Sequence, residues 1–230
     1  MQRITVTAPP RALVDAVHHS ASFSEVSSDA SLRRTLWEQQ RGRCAYCERV
    51  LRDPSRDDHR TRIEHFHPQS SAEWTIDCSR ESGASVAERA AIAWTNLLLC
   101  CDGNEAAGRD FTCDKLKGNR DICADFCNPH RWPGGAVLAV KRDGRVTPSP
   151  GLPAAADRVV QDVLNLNAPA LVHARRSVLD ARRAAISRIR AKHGGLTPRV
   201  RRDIAEILRR DAETHEFGAA LLSLADEMTR

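Results

Sequence analysis

Cys44 and Cys47 stand in a Cys-x2-Cys turn, two of the eight cysteines in this 230-residue chain. That spacing lets two thiolates on one tight turn share a tetrahedral ion, and two distant cysteines can close the site. Cys100, Cys101 and Cys113 are the candidates for the second half. Cys101 ends an apolar run and Cys113 immediately precedes an Asp-x-x-Lys segment, whereas Cys100 would face the other way on an extended strand. The favoured set is Cys44, Cys47, Cys101 and Cys113, holding a structural Zn2+. Eight cysteines in a reducing compartment favour metal ligation and free thiols over a disulfide framework.

Between the cysteine pairs lies Ile63-Glu64-His65-Phe66-His67-Pro68. An imidazole whose ordinary pKa lies near neutrality can take a proton from water beside a phosphodiester. A carboxylate next to it is a natural ligand for Mg2+, which would neutralise the leaving oxygen. The reading is His65 as general base and Glu64 as metal ligand. A lone histidine is more often a satisfied structural residue, but its place between the cysteine pairs reverses that preference. His67 reads as an extra ligand, a phosphate donor or a loop cap. Lys117 is expected to meet a nucleic-acid phosphate or the end of a helix. Cys123, Cys127 and His130, with Cys78 as a fourth partner, have the spacing of a second metal set but read equally as free thiols in a loop, and no site is assigned to them.

Together, Cys44-Ala45-Tyr46-Cys47, Glu64-His65-Phe66-His67-Pro68, Asn96-Leu97 and Cys113-Asp114-Lys115-Leu116-Lys117-Gly118 resemble an HNH endonuclease with a zinc-stabilised ββα-metal core. The resemblance implies His65 as the base, Glu64 and Asp114 as ligands of a catalytic Mg2+ or Mn2+, and Asn96 as the residue that fixes the loop orienting the base. Cys44-Ala45-Tyr46-Cys47-Glu48 and Cys101-Asp102-Gly103-Asn104 look like the PtuB-like branch. Those nucleases work with an ABC-type ATPase (PtuA-like) in Septu and retron anti-phage systems, which would make DNA the substrate and the ATPase the partner. Asn165-Leu166-Asn167 with Leu171 and Arg175 is similar to the C-terminal helices of that branch. Glu64 stands where the family more often has Asp, and Asp114 where it usually has Asn or His. The 11 residues between Cys101 and Cys113 exceed the two of a simple knuckle.

These side chains need elements to hold them. Apolar spacing predicts a helix over 31–40, with Gly42 beyond its end. A short strand is expected at 62–66, a loop from 68 to 83, a helix at 86–93 and a second strand at 97–101. Turn residues after 128 frame a hairpin, 136–140 with 144–147. From 155 onward the chain reads as helical, with Thr197-Pro198 as a cap and first position. The expected class is α+β, a zinc-knuckled ββα-metal core in a mainly α-helical body. Three segments are expected: 1–42 helical, 43–120 the nuclease core and 121–230 mainly helical.

Composition bounds the function. With 41% apolar residues a core is feasible, and with 4% aromatics base stacking is a poor means of binding nucleic acid. The net charge is +5, but residues 158–210 carry 13 Lys/Arg against 4 Asp/Glu, a face suited to a phosphate backbone. No apolar run reaches membrane-spanning length and no signal-peptide block opens the chain, so a cytoplasmic protein without membrane association is expected. Two rival readings share the core: a non-catalytic zinc-ribbon module that binds nucleic acid or protein, and a standalone restriction-type nuclease without an ATPase.

Overall fold

The computed structural model describes residues 1–70 and 73–229. It is an α+β protein in which short strands are set among helices. Helices α1 (Arg11–His18), α2 (Phe23–Val26) and α3 (Ala30–Gln39) lead to the Cys44–Cys47 turn. Asp29 caps α3 by accepting from the Ser31 and Leu32 amides, and Leu32 and Leu36, four residues apart, are fully buried on its inner side.

Strand β1 (Arg62–His65) is followed by α4 (Ile76–Ser82), α5 (Ala87–Ala90), a 3-10 turn at Trp94–Asn96, and β2 (Leu97–Cys100). β1 and β2 pair antiparallel, with Arg62 opposite Cys100 and Glu64 opposite Leu98. β2 is buried throughout, which suits its run of three leucines and a cysteine. Its free edge is satisfied by side-chain and turn groups. Gln40 Oε1 accepts from the Leu99 amide at 2.7 Å, and its Nε2 donates to the Leu99 and Arg43 carbonyls, both at 2.7 Å. The Ala45 amide also donates to Leu99 O at 3.0 Å, so the cysteine turn is sewn onto β2.

Helix α6 (Cys113–Lys117) comes next, then the hairpin β3 (Leu138–Val140) and β4 (Val146–Pro148). α7 (Ala156–Arg158) runs into a π-helical turn at Val159–Val163. Three longer helices complete the chain: α8 (Pro169–Lys192), α9 (Pro198–Ala212) and α10 (Gly218–Thr229). Pro169 and Pro198 occupy first positions of α8 and α9, and Thr197 caps α9. Among the described residues no helix is long and apolar enough to cross a membrane.

One expectation needs correction. The 68–83 stretch is not all loop, because Ile76–Ser82 is helical, capped by Thr75 and stopped by Gly83 in a left-handed conformation. Its buried residues are Cys78, Glu81 and Ser82, so the inward face carries no apolar stripe to betray it. One hydrophobic cluster runs from Met1 to Ala225. Arg43 donates to the carbonyls of Ala212, His215 and Glu213 at the end of α9, at 2.9, 2.9 and 2.6 Å. The Phe217 and Ala219 amides donate back to Glu48, one to its carbonyl and one to its carboxylate.

Candidate functional site

The four favoured cysteines converge. Cys44, Cys47, Cys101 and Cys113 are all buried, are all unbonded thiols, and place their sulfurs within 4.8 Å of one another. Cys44 Sγ lies 3.9 Å from Cys113 Sγ, and Cys47 Sγ 3.8 Å from Cys101 Sγ. Four thiolates about 2.3 Å from one tetrahedral ion would stand about 3.8 Å apart. The group could therefore hold a metal ion. Burial opposes ionisation of Cys44, but hydrogen bonds from Cys100, Cys101, Cys113 and Cys47 hold its thiol well below the usual cysteine value. Cys113 opens α6 with φ +54° (an unusual conformation for a side chain other than glycine), and its amide donates to Leu164 O at 2.9 Å. The long excursion between Cys101 and Cys113 is accommodated by a turn: the Thr112 amide donates to Gly103 O, so the chain leaves and returns at one place.

Residues on β1 project alternately, and their contacts follow that alternation. Arg62 and Glu64 face α6. Arg62 Nε is 2.5 Å from Asp114 Oδ2, and Lys117 Nζ is 2.8 Å from Glu64 Oε1, which also accepts from the Tyr46 hydroxyl at 2.8 Å. The Glu64 and Asp114 carboxyls are thus brought together at the start of α6. Burial pushes the Glu64 carboxyl up to about 8; Lys117 opposes that rise, and the hydrogen bond and charge of Asp114 reinforce it.

His65 turns the other way. Its Nε2 lies 3.0 Å from the Ala91 carbonyl and 3.2 Å from the Gln69 amide, and the Phe23 ring meets it edge-on at 4.4 Å. A carbonyl only accepts, so the shorter contact puts the proton on Nε2 and leaves the lone pair on Nδ1; the Gln69 NH2, itself a donor, then makes no hydrogen bond to that nitrogen. Burial holds the imidazole down at about 4, against the pull of the Ala91 hydrogen bond, so the ring is neutral near pH 7. Among the described residues, two groups of three or more ligand atoms lie close enough to share an ion, and Glu64, His65 and Asp114 do not form one of them.

Asn96, fully buried, clamps the chain after His65. Its Oδ1 accepts from the His67 amide at 2.8 Å, and its Nδ2 donates to the His67 and Ala90 carbonyls at 2.9 and 3.0 Å. Asn96 thus fixes both the loop beyond β1 and the end of α5, one residue before the carbonyl that holds His65.

Lys117 is not placed to meet a phosphate. It is 1% exposed, and besides Glu64 its ammonium donates to His65 O at 2.9 Å. It is an internal strut, and sequence alone could not separate a buried lysine from a surface one. The basic C-terminal stretch is also less free than its composition implies. Arg175 is buried and donates to Gly144 O and Leu166 O, while Arg182, Arg183 and Arg209 pair with Asp211, Glu227 and Asp226. Arg188, Arg190, Lys192, Arg199, Arg201, Arg202 and Arg210 remain exposed, around the junction of α8 and α9 and along α9.

The second ligand group is His67, Cys78, Asp121 and Cys123. His67 and Asp121 stand with Cys78 and Cys123, whereas Cys127 and His130, which shared a metal-like spacing but were assigned no site, lie outside the group. Cys127 donates to Asn128 O, and His130 lies between the Ile4 and Leu97 carbonyls.

Compared with protein-family models and with curated proteins, this chain finds no significant match.

Proposed function

We propose that the chain is a metal-dependent nuclease of the HNH type that hydrolyses DNA phosphodiester bonds, with a structural Zn2+ in the Cys44–Cys47–Cys101–Cys113 tetrad. The observation that carries this reading is the tautomer lock on His65. With Nε2–H spent on Ala91 O, the neutral ring offers Nδ1 as a base, while Lys117 holds the carbonyl of His65 and Asn96 the backbone of His67 just beyond it. The base would take a proton from the attacking water as its oxygen bonds to phosphorus, and the sugar oxygen would leave with the electrons of the broken P–O bond. Glu64 and Asp114 would hold Mg2+ or Mn2+, whose chemistry is to stabilise the charge on the phosphate and the leaving oxygen. Exposed arginines around α8 and α9 would grip the backbone without reading sequence.

An anti-phage effector role alongside an ABC-type ATPase, in the cytoplasm, extends the same resemblance. The non-catalytic zinc-module reading has two observations in its favour: Glu64 and Asp114 already face the cations Lys117 and Arg62, which a divalent ion would have to displace, and Glu64, His65 and Asp114 do not form a ligand group.

Plasmid cleavage with Mg2+ or Mn2+, comparing zinc-loaded wild type with zinc-loaded His65→Ala, tests the proposal. Wild type is expected to cut, and the variant to lose at least about 100-fold, the scale of a general base. Equal cutting by both would remove His65 from the role. Silence of both, including with a PtuA-like ABC-type ATPase added, would favour the non-catalytic module.

A further inference from the structure

We propose that His67, Cys78, Asp121 and Cys123 form a second Zn2+ site, which pins the segment after β1 to α4 and to the loop beyond α6. The four come from three separate stretches of chain, yet their ligand atoms lie within 4.8 Å of one another. His67 Nδ1 is 3.1 Å from Asp121 Oδ2 and 3.6 Å from Cys123 Sγ, and Cys78 Sγ is 3.3 Å from the same Asp121 oxygen. Around a tetrahedral zinc with ordinary bond lengths, the edges N···O, N···S and O···S would be about 3.3 to 3.6 Å. The observed edges lie close to that range.

The geometry also separates a metal site from a Cys-His-Asp relay. A relay needs one ring nitrogen toward the thiol and the other toward the carboxylate. Here Cys123 and Asp121 both address Nδ1, so the ring cannot pass a proton between them. The four donors instead surround one point, and two thiols, an imidazole and a carboxylate are a zinc donor set.

Each ligand is held from behind. Asn96 clamps the His67 backbone on both sides, and the Trp74 ring meets the imidazole edge-on at 4.8 Å. Cys78 sits in the first turn of α4, where the Thr75 cap accepts from its amide at 3.3 Å. Asp121 Oδ1 accepts from the Cys123 amide at 2.8 Å while Oδ2 faces the cluster. His67, Cys78 and Cys123 are buried, and the carboxylate forms the more open side. Such outer support is what fixes ligand orientation around a metal. The inference stands apart from the nuclease reading, since it requires neither His65 nor the Glu64–Asp114 pair.

The test is the zinc content of the full chain, expressed with zinc in the medium and measured by elemental mass spectrometry. Two zinc ions per chain are expected in the wild type and in Cys127→Ser, and one in Cys123→Ser or Cys78→Ser. Should those variants fail to fold, zinc K-edge absorption of the wild type decides. A mean shell of about three sulfurs and one nitrogen or oxygen per zinc supports two sites of this composition. One zinc per chain with a pure four-sulfur shell would overturn the proposal. A Cys78–Cys123 disulfide found by peptide mapping would overturn it as well.

Discussion

Asn96 shows how much one buried amide can hold. All three of its hydrogen bonds close on backbone groups, two at His67 and one at Ala90. Truncation to alanine would leave a buried amide and two carbonyls without this partner. Asn96→Ala should therefore cost about 3 kcal/mol, read from urea denaturation of the metal-loaded protein; a loss below about 1 kcal/mol would mean that water replaces the side chain. At this scale the sequence was legible where chemistry demands a rigid spacing. Cys-x2-Cys announces a shared ion, and the two remaining thiols follow from where β2 ends and α6 begins. It was not legible for Lys117, because burial leaves no mark on a lysine in one sequence. Asp121 was overlooked for a related reason: an aspartate in a loop is too common to signal a ligand, and His67 drew attention toward His65 rather than toward Cys123.

Among the elements, the hairpin β3–β4 makes a sharp case. Its turn passes Gly144 at φ +89°, and a Cβ there would sit 2.3 Å from Val172 O on α8 and 2.9 Å from the Arg176 nitrogen. Neither atom belongs to a flexible side chain that could swing aside. Gly144→Ala should destabilise the protein by more than about 1 kcal/mol, seen as a lower melting temperature in calorimetry. An unchanged melting temperature would show that α8 shifts freely against the hairpin. β2 was readable from its apolar run and α3 from the helical spacing of its apolar residues. α4 was hidden because its inward side is a cysteine, a glutamate and a serine, and Glu81 earns burial by accepting from the Asn128 amide at 2.6 Å. Hydrophobic periodicity cannot find a helix whose inner side is polar.

At the scale of the whole molecule, the last helices are fastened to the Cys44–Cys47 turn. Three guanidinium bonds from Arg43 and two amide bonds to Glu48 join residues more than 160 positions apart. No local pattern could have signalled that contact. Its consequence for folding is a single cooperative unit, and the tryptophans allow a direct check. Trp37, Trp74, Trp94 and Trp132 all precede the three long helices that dominate the far-ultraviolet signal. Urea transitions followed by tryptophan fluorescence and by circular dichroism should therefore coincide within error; two separated midpoints would mean that the helical end unfolds alone. Both ligand sets are complete in the chain by Cys123, whereas the partners of Arg43 lie at 212–215. A polypeptide is made from its first residue onward, so the ions can load while α9 and α10 are still untranslated. Metal capture would then precede the docking of the last two helices, which would close over the Cys44–Cys47 turn behind it.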